Sequence, residues 1–380
     1  MTLDQQALDL HRRYKGKFST QSKIPIKDSS DLSLVYSPGV AAACKEIVKD
    51  AENMYVYTSK SNTVAVVSDG SAVLGLGNIG PQAALPVMEG KAALFKVFAD
   101  VDAVPICVST QDVDEIVETV ERIASSFGGI NLEDIKAPEC FEVERRLKES
   151  LDIPVFHDDQ HGTAIVVLAG LINACKVVGK ELSSLRVVIN GSGAAGVAIS
   201  KLLLAAGVSD IVVLDSKGVI VSSREDLNNS KSELATITNP RGLFGSLSEV
   251  IEGADVFIGV SVANILSQED VSEMADDAVV FALANPDPEI LPADAYAGGA
   301  RIVSTGRSDF ANQVNNVLVF PGIFRGLLDS RIKTVTDEIM LSAASAIASC
   351  ISSPSEQMIV PKSMDKSVAK AVSQAVSAFA

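Results

Sequence analysis

RVVINGSGAAGVAISKLLLAAGVSDIVVLDSKG, residues 186–218, decides the fold. A β-branched run leads into Gly191-Ser192-Gly193-Ala194-Ala195-Gly196, an apolar helical segment follows, and a second β-branched run closes on Asp215. A G-x-G-x-x-G turn between strand and helix lets the backbone turn tightly and approach a pyrophosphate, which then rests on the helix N-terminus. An acid at the end of the next strand can bond a ribose hydroxyl. The glycines alone are a weak signal; with strand, helix and acid in place they point to dinucleotide binding. Asp215 favours NAD, since a 2′-phosphate would face a carboxylate, whereas Ser216 and Lys217 beside it could accommodate that phosphate. NAD or NADP is the expected cofactor.

Downstream the alternation of strand and helix continues. DDAVVFALANPDPEI, 276–290, reads as a strand with Asn285 at its tip, and ARIVSTG, 300–306, repeats the form. In an open parallel sheet such tips are where cofactor and substrate gather. Asn315 and Asn316 then precede an apolar, strand-like VLVF segment. Amides there suit recognition of a carboxylate, or simply a turn. The C-terminal part is Ala-rich and helical in pattern apart from loops at Pro354 and Pro361, and is expected to pack back onto the first domain.

Upstream lies LDIPVFHDDQHGT, 151–163, an apolar run that ends in Asp158 and Asp159 and opens into the helical AIVVLAGLINACKVV. It marks the expected junction between a first domain, 1–160, and a Rossmann-type domain with C-terminal helices, 161–380. The fold class is α/β with two domains, the second a doubly wound parallel sheet. GGINLEDI, 128–135, is another short strand ending in acids, Glu133 and Asp134. Two successive parallel strands bring their ends to one edge, so four carboxylates can meet and would repel without a cation. Hard oxygen ligands of this kind suit Mg2+ or Mn2+. Helix caps and surface charges are the alternative, and these residues by themselves leave both open.

Three further features stand before that junction. Lys91 lies on an apolar helical pattern with Leu94, Phe95, Val97 and Phe98. Such a lysine either snorkels to water or is desolvated, and desolvation lowers its pKa toward the range useful for a base. Tyr36 sits at a loop-to-helix entry beside Pro38 and Gly39, which by itself reads as a half-buried aromatic next to a turn. GLGNIG, 75–80, also matches the glycine pattern, but Pro81 and Pro86 are expected to interrupt any helix after it, leaving a tight loop.

The chain has 380 residues, 47% of them hydrophobic, and a formal charge of −16 with a pI near 4.7. That length supports two cores. The acidic balance argues against a nucleic-acid or anionic-membrane partner. Cys44, Cys107, Cys140, Cys175 and Cys350 form no CxxC pair, as expected of reduced thiols. The N-terminal residues lack the layout of a secretory signal and no apolar stretch is expected to span a membrane, so the expected location is cytoplasmic.

YSPGVA, SDG, LGLGNIG, EGKA, NLED, FHDDQHGTA, the dinucleotide unit, ANPDPE and QVNNVLVFPG occur in one order along this chain. Together they resemble the NAD(P)-dependent malic enzymes in their short microbial form. The resemblance implies oxidative decarboxylation of (S)-malate to pyruvate and CO2, with a divalent metal, in a homodimer or larger assembly. Carried over by position, it makes Tyr36 the general acid, Lys91 the general base, and Glu133, Asp134 and Asp159 the metal ligands. Asp158 supports the lysine, and Asn285 and Asn315 contact malate or cofactor. Larger relatives place an arginine two residues after the DG pair to hold a malate carboxylate; here that position is Ala72. His157 and the cysteines receive no role. A malolactic enzyme, or a non-catalytic dinucleotide-binding protein on the same fold, are the rival expectations.

Overall fold

The computed structural model describes residues 2–380 and contains two sheets. The first is built from β1 (Thr63–Ser68), β2 (Asp102–Cys107), β3 (Gly129–Leu132) and β4 (Val155–His157) in the order β2-β1-β3-β4, all parallel. Every residue of β1 is buried, which is why TVAVVS reads as a continuous apolar run and not as an alternation. The second sheet contains β5 (Arg186–Asn190), β6 (Asp210–Asp215), β7 (Gly218–Val219), β8 (Val256–Gly259), β9 (Val279–Ala282) and β10 (Ile302–Thr305). Its order is β10-β9-β8-β5-β6-β7, parallel except for β7, a two-residue edge strand antiparallel to β6. From β5 the chain moves to β6 on one side and later returns to β8 on the other. This makes the β5/β8 crevice the topological switch point of a doubly wound sheet.

Four helices precede β1: α1 (Leu3–Tyr14), α2 (Ser29–Val35), α3 (Val40–Lys49) and α4 (Met54–Tyr57), and none contains a buried residue. Around the first sheet follow α5 (Gly80–Ala99), α6 (Val113–Ile123) and α7 (Glu139–Ser150). Then come α8 (Thr163–Val178), α9 (Ala194–Ala205), α10 (Asn229–Ile237), α11 (Leu247–Val250), α12 (Gln268–Ser272) and α13 (Pro292–Ala297). The chain ends with α14 (Phe320–Ser330), α15 (Asp337–Ser349) and α16 (Lys366–Ser377).

Three local expectations need correction. Pro81 and Pro86 do not interrupt the segment after the GLGNIG loop; both lie within α5. Pro81 occupies the first turn, where no N–H bond is lost, and burial of Met88, Lys91, Ala92 and Phe95 carries the helix past Pro86. The strand-like VLVF is instead the end of a 3-10 turn, Asn316–Leu318, that runs into α14 with Pro321 in its first turn. The continuous helical run Asp158–Val178 is 21 residues long with mean hydropathy 1.6, apolar and long enough to cross a bilayer by length and composition. It is 67% buried inside the protein, and residues such as Ile165, Val166 and Leu168 lie in the main core. A helix that is apolar all round is also what a core position demands.

The C-terminal helices return to the first sheet as expected. Phe320 and Phe324 of α14 pack on Phe95 of α5, with ring centroids 4.7 and 5.3 Å apart, and Phe324 meets Phe156 of β4 edge-on at 6.0 Å. A Cβ on Gly326 would stand 2.6 Å from Val376, so α14 and α16 touch almost backbone to backbone. One hydrophobic core thus includes residues from both sheets and from these helices.

Candidate active site

Because β3 and β4 pair in parallel with Leu132 opposite His157, the acids after them emerge side by side at the carboxyl edge. The Asp134 N–H donates to Asp159 Oδ2 at 2.7 Å. Lys91, projecting from α5 and only 8% exposed, donates from Nζ to Glu133 Oε1 at 2.8 Å and also to the Asp158 carboxylate. Its ammonium lies 3.9 Å from the centroid of the Phe320 ring. Asn131 holds the other Glu133 oxygen at 2.9 Å. Asn316 Nδ2 reaches Asp158 Oδ2 at 3.1 Å and the Asp158 carbonyl at 3.3 Å.

The sequence of the Asp158–Gly162 turn follows from its shape. Residues 158–162 form a π-helical turn, and a Cβ on Gly162 would fall 1.9 Å from Asp158 Oδ1, so only glycine fits. Buried Glu144 of α7 braces it from behind, accepting the His157 N–H at 3.1 Å and standing 2.9 Å from His161 Nε2. Burial alone would raise the Glu144 pKa, yet His161 and Lys148 hold this carboxyl well below the usual range.

Electrostatics here are dominated by burial and mutual repulsion. Burial pushes the Glu133 and Asp158 carboxyls up against the pull of Lys91, and burial together with Asp159 raises Asp134 to about 8. For Lys91 burial pushes downward, but the attraction of Asp158 and Glu133 outweighs it and the pKa lies above the ordinary lysine value. Desolvation therefore does not by itself make Lys91 a base, contrary to the simple expectation.

Among the described residues no three His, Cys, Asp or Glu side chains are already grouped as a metal cage. The donor chemistry nevertheless fits a hard divalent cation. Asp134 Oδ2 and Asp158 Oδ1 are buried with no hydrogen-bond partner, and burial with mutual repulsion raises the Glu133, Asp134 and Asp158 carboxyls although Lys91 pulls each of them down, a balance that a further cation would shift toward the charged forms.

The geometry of the glycine turn suits a pyrophosphate. Gly191 has φ +126, and a Cβ there would stand 2.6 Å from the Val260 carbonyl. A Cβ on Gly196 would stand 1.9 Å from Gly191 O, so α9 packs directly on the turn. Gly193 has open space in front of it and caps α9 without any side-chain bond, leaving the N–H groups that begin at Ala194 and Ala195 free for an anion. Ser192 lies within this turn.

Asp215 stands at the end of β6, but its four acceptor positions are taken. Lys217 N–H and Arg224 Nη1 donate to Oδ1 at 2.9 and 2.8 Å, and Arg224 Nη2 and Lys231 Nζ donate to Oδ2 at 2.9 and 2.7 Å. Burial would raise this carboxyl; the Arg224 and Lys231 donors prevail and hold it at about 2. Arg224 and Lys231 escaped sequence reasoning because they lie beyond β7, outside the β-α-β unit.

The remaining candidates fall in different places. Asn285 donates to Leu283 O at 3.2 Å, and its carbonyl and Pro286 face Gly75, so the GLGNIG loop meets the NPDP tip. The Asn315 side chain accepts the Val317 N–H at 2.9 Å and caps the 3-10 turn, whereas Asn316, read beside it as a candidate amide but given no role by the resemblance, reaches the lysine cluster. Tyr36 is 69% exposed, not half-buried, and among the described residues its hydroxyl makes no hydrogen bond. Ala72 N–H donates to Asp134 O at 2.9 Å, with no cation at that position.

A buried lysine–carboxylate cluster on one sheet and a pyrophosphate turn at the switch point of the next, joined through one core, define a dinucleotide-dependent dehydrogenase class. Residues 15–148 match the model of the malic enzyme N-terminal domain, and residues 160–380 match that of the malic enzyme NAD-binding domain. The chain belongs to the malic enzyme family. It is 58% identical over 379 residues to a bifunctional malic/malolactic enzyme of Bacillus subtilis (strain 168), covering 99% of this chain and 92% of that protein. It is 58% identical over 365 residues to an NAD-dependent malic enzyme of Geobacillus stearothermophilus, covering 95% and 76%. The crystal structure of an NAD-dependent malic enzyme from Thermotoga maritima superposes with a TM-score of 0.95 at 52% identity over 98% of each chain.

Proposed function

We propose that this chain catalyses the oxidative decarboxylation of (S)-malate to pyruvate and CO2 with reduction of NAD or NADP, its substrate and metal residues lying in 1–160 and its cofactor residues in 161–380. The observation that carries this reading is Lys91, buried between Glu133 and Asp158 at the carboxyl edge of the first sheet.

In this reading Lys91 takes the C2 hydroxyl proton of malate as hydride leaves C2 for the nicotinamide. Asp158, itself held by Asn316, orients the lysine and shares its proton. Glu133, Asp134 and Asp159 would hold Mg2+ or Mn2+, which supplies Lewis-acid stabilisation of negative charge on substrate oxygens. Once the C3–carboxylate bond breaks, C3 must be protonated, and Tyr36 is the proposed acid. Tyr36 needs a site to act upon. Residues of α1–α4 are all unburied while Leu8, Leu10, Leu32 and Leu34 face outward, which supports a homodimer in which this arm lies against a second copy. Asn285 remains the proposed amide contact for malate or nicotinamide, and Asn316 is a better placed candidate than Asn315 for the lysine side of the site.

Saturation of Asp215 bears on the cofactor. With its lone pairs engaged, Asp215 must release a partner to accept a ribose hydroxyl, while Arg224 and Lys231 offer positive charge to a 2′-phosphate. This supports acceptance of NADP as well as NAD. The identity with a bifunctional relative keeps malate-to-lactate conversion as a second reading.

The test is reduced-nicotinamide absorbance with malate and Mn2+, run with NAD and with NADP. Signal that disappears on chelation is the expected result. No signal with either nucleotide would overturn the proposal.

A further inference from the structure

One buried carboxylate has no part in the chemistry above. Glu289 is completely inaccessible, yet among the described residues no lysine, arginine or histidine pairs with it. Its two oxygens instead receive backbone N–H groups from two neighbouring strand tips. Ser261, just past β8, donates to Oε1 at 3.0 Å, and Ala284, just past β9, donates to Oε2 at 2.9 Å. The main chain continues the clamp, since Leu266 N–H donates to Glu289 O and Asn264 N–H to Pro288 O, each at 3.1 Å.

Burying a carboxylate without a cation is costly, so something must require it. The Ser261 and Ala284 groups that face its two oxygens are both donors. A carboxylate accepts with either oxygen, whereas glutamine has one accepting end and would turn its NH2 toward the second N–H. Space has been cleared for it as well: a Cβ on Gly259 would stand 2.3 Å from the Glu289 Cδ.

What Glu289 joins is placed where a cofactor must pass. Val260 and Ser261 lie against the glycine turn, with Val260 O beside Gly191 and Ser261 Oγ accepting from Asn190 Nδ2 at 2.7 Å. Ala284 leads directly into Asn285, which faces the GLGNIG loop of the first domain. The bridged tips of β8 and β9 thus lie on the side of the glycine turn opposite β6 and Asp215, the adenosine side.

We propose that Glu289 is a positioning residue for the nicotinamide half of the cofactor, fixing Ser261 and Asn285 relative to each other. The proposal rests on the dinucleotide-dehydrogenase reading. It assigns Glu289 no contact with the reacting atoms.

The test compares the full-length enzyme with Glu289→Gln, which keeps the volume and removes one acceptor. Two binding arms use NADPH, followed by its fluorescence, and 2′,5′-ADP, a probe of the adenosine half alone. A third arm measures kcat and KM for malate. Positioning predicts unchanged 2′,5′-ADP affinity, weaker NADPH binding with an altered nicotinamide emission, and a fall in kcat of about 10²-fold, as displacement of reacting groups by an ångström produces. Glu289→Asp, which keeps both accepting oxygens, should recover part of that loss. Equal weakening of both nucleotides, or a lower melting temperature with unchanged kinetics, would overturn the proposal by making the residue merely structural. If Glu289→Gln fails to fold, Asn190→Ala releases Ser261 from the β5 side and should give the same nicotinamide-selective loss; unaltered NADPH emission would then overturn it. The binding arms need no turnover, so they report on Glu289 even if malate is not the substrate.

Discussion

Lys91 and Asp158, 67 residues apart in the chain, meet in a buried ion pair that ties α5 to the turn after β4. Glu133 completes the cluster from β3, so one ammonium is shared between carboxylates from two adjacent strand ends. The pair joins the lysine to the acids proposed to surround a metal, and replacing either partner leaves uncompensated charge in a site closed to water.

Lys91→Ala should lower kcat by about 10²–10⁴-fold, the usual contribution of a positioned acid or base. Binding of NADPH, followed by fluorescence, should be unchanged because the glycine turn is in the other sheet. Loss of both would mean that the substitution had disrupted the fold.

Asn315 and Asn316 should separate cleanly. Asn315→Ala removes the cap on Val317 and is expected to destabilise by about 1 kcal/mol with little change in kcat. Asn316→Ala frees Asp158 and should lower kcat with a smaller effect on melting temperature. Paired thermal melts and steady-state assays check this, and the reverse pattern would restore Asn315 as the functional amide.

Asp134 gives a pH dependence with a definite sign. Its folded pKa of about 8 is raised above that of an unfolded carboxyl, so its contribution to stability is fully present below the unfolded value and lost as pH rises through 8. Metal-free protein should therefore melt at lower temperature at pH 8.5 than at pH 6.5. Mn2+ should restore the loss and release protons on binding, measurable by calorimetry in buffers of different ionisation enthalpy. A melting temperature indifferent to Mn2+ across this range would contradict the metal assignment.

Lys231→Ala removes a cation from Asp215 and from the neighbourhood of the adenosine ribose. It should raise KM for NADP more than for NAD. Equal changes for both nucleotides would place the 2′-phosphate elsewhere.

The fold was legible because its signals are local. VVIN and TVAVVS are buried on both faces and read as apolar runs, and glycines at 191 and 196 each answer a close approach visible in the backbone, while Gly193 leaves open space before α9. Acids at 133–134 and 158–159 could be placed together because parallel strands align their ends. Other features depended on distances that the chain order does not contain. Whether burial lowers or raises the Lys91 pKa turns on how near Asp158 and Glu133 come, and the two asparagines differ only in the direction that the backbone gives each. Pro86 is tolerated inside α5 because the buried face of that helix outweighs one missing hydrogen bond. The exposure of Tyr36 belongs to an arm with no buried residue of its own, and composition carries no sign of that.

The most direct measurement of the central chemistry is the product balance from (S)-malate with Mn2+, run with NAD and with NADP. Oxidative decarboxylation predicts one pyruvate and one reduced nucleotide for each malate consumed. Lactate formed with no net reduction of nucleotide would contradict it and establish the malolactic reaction instead.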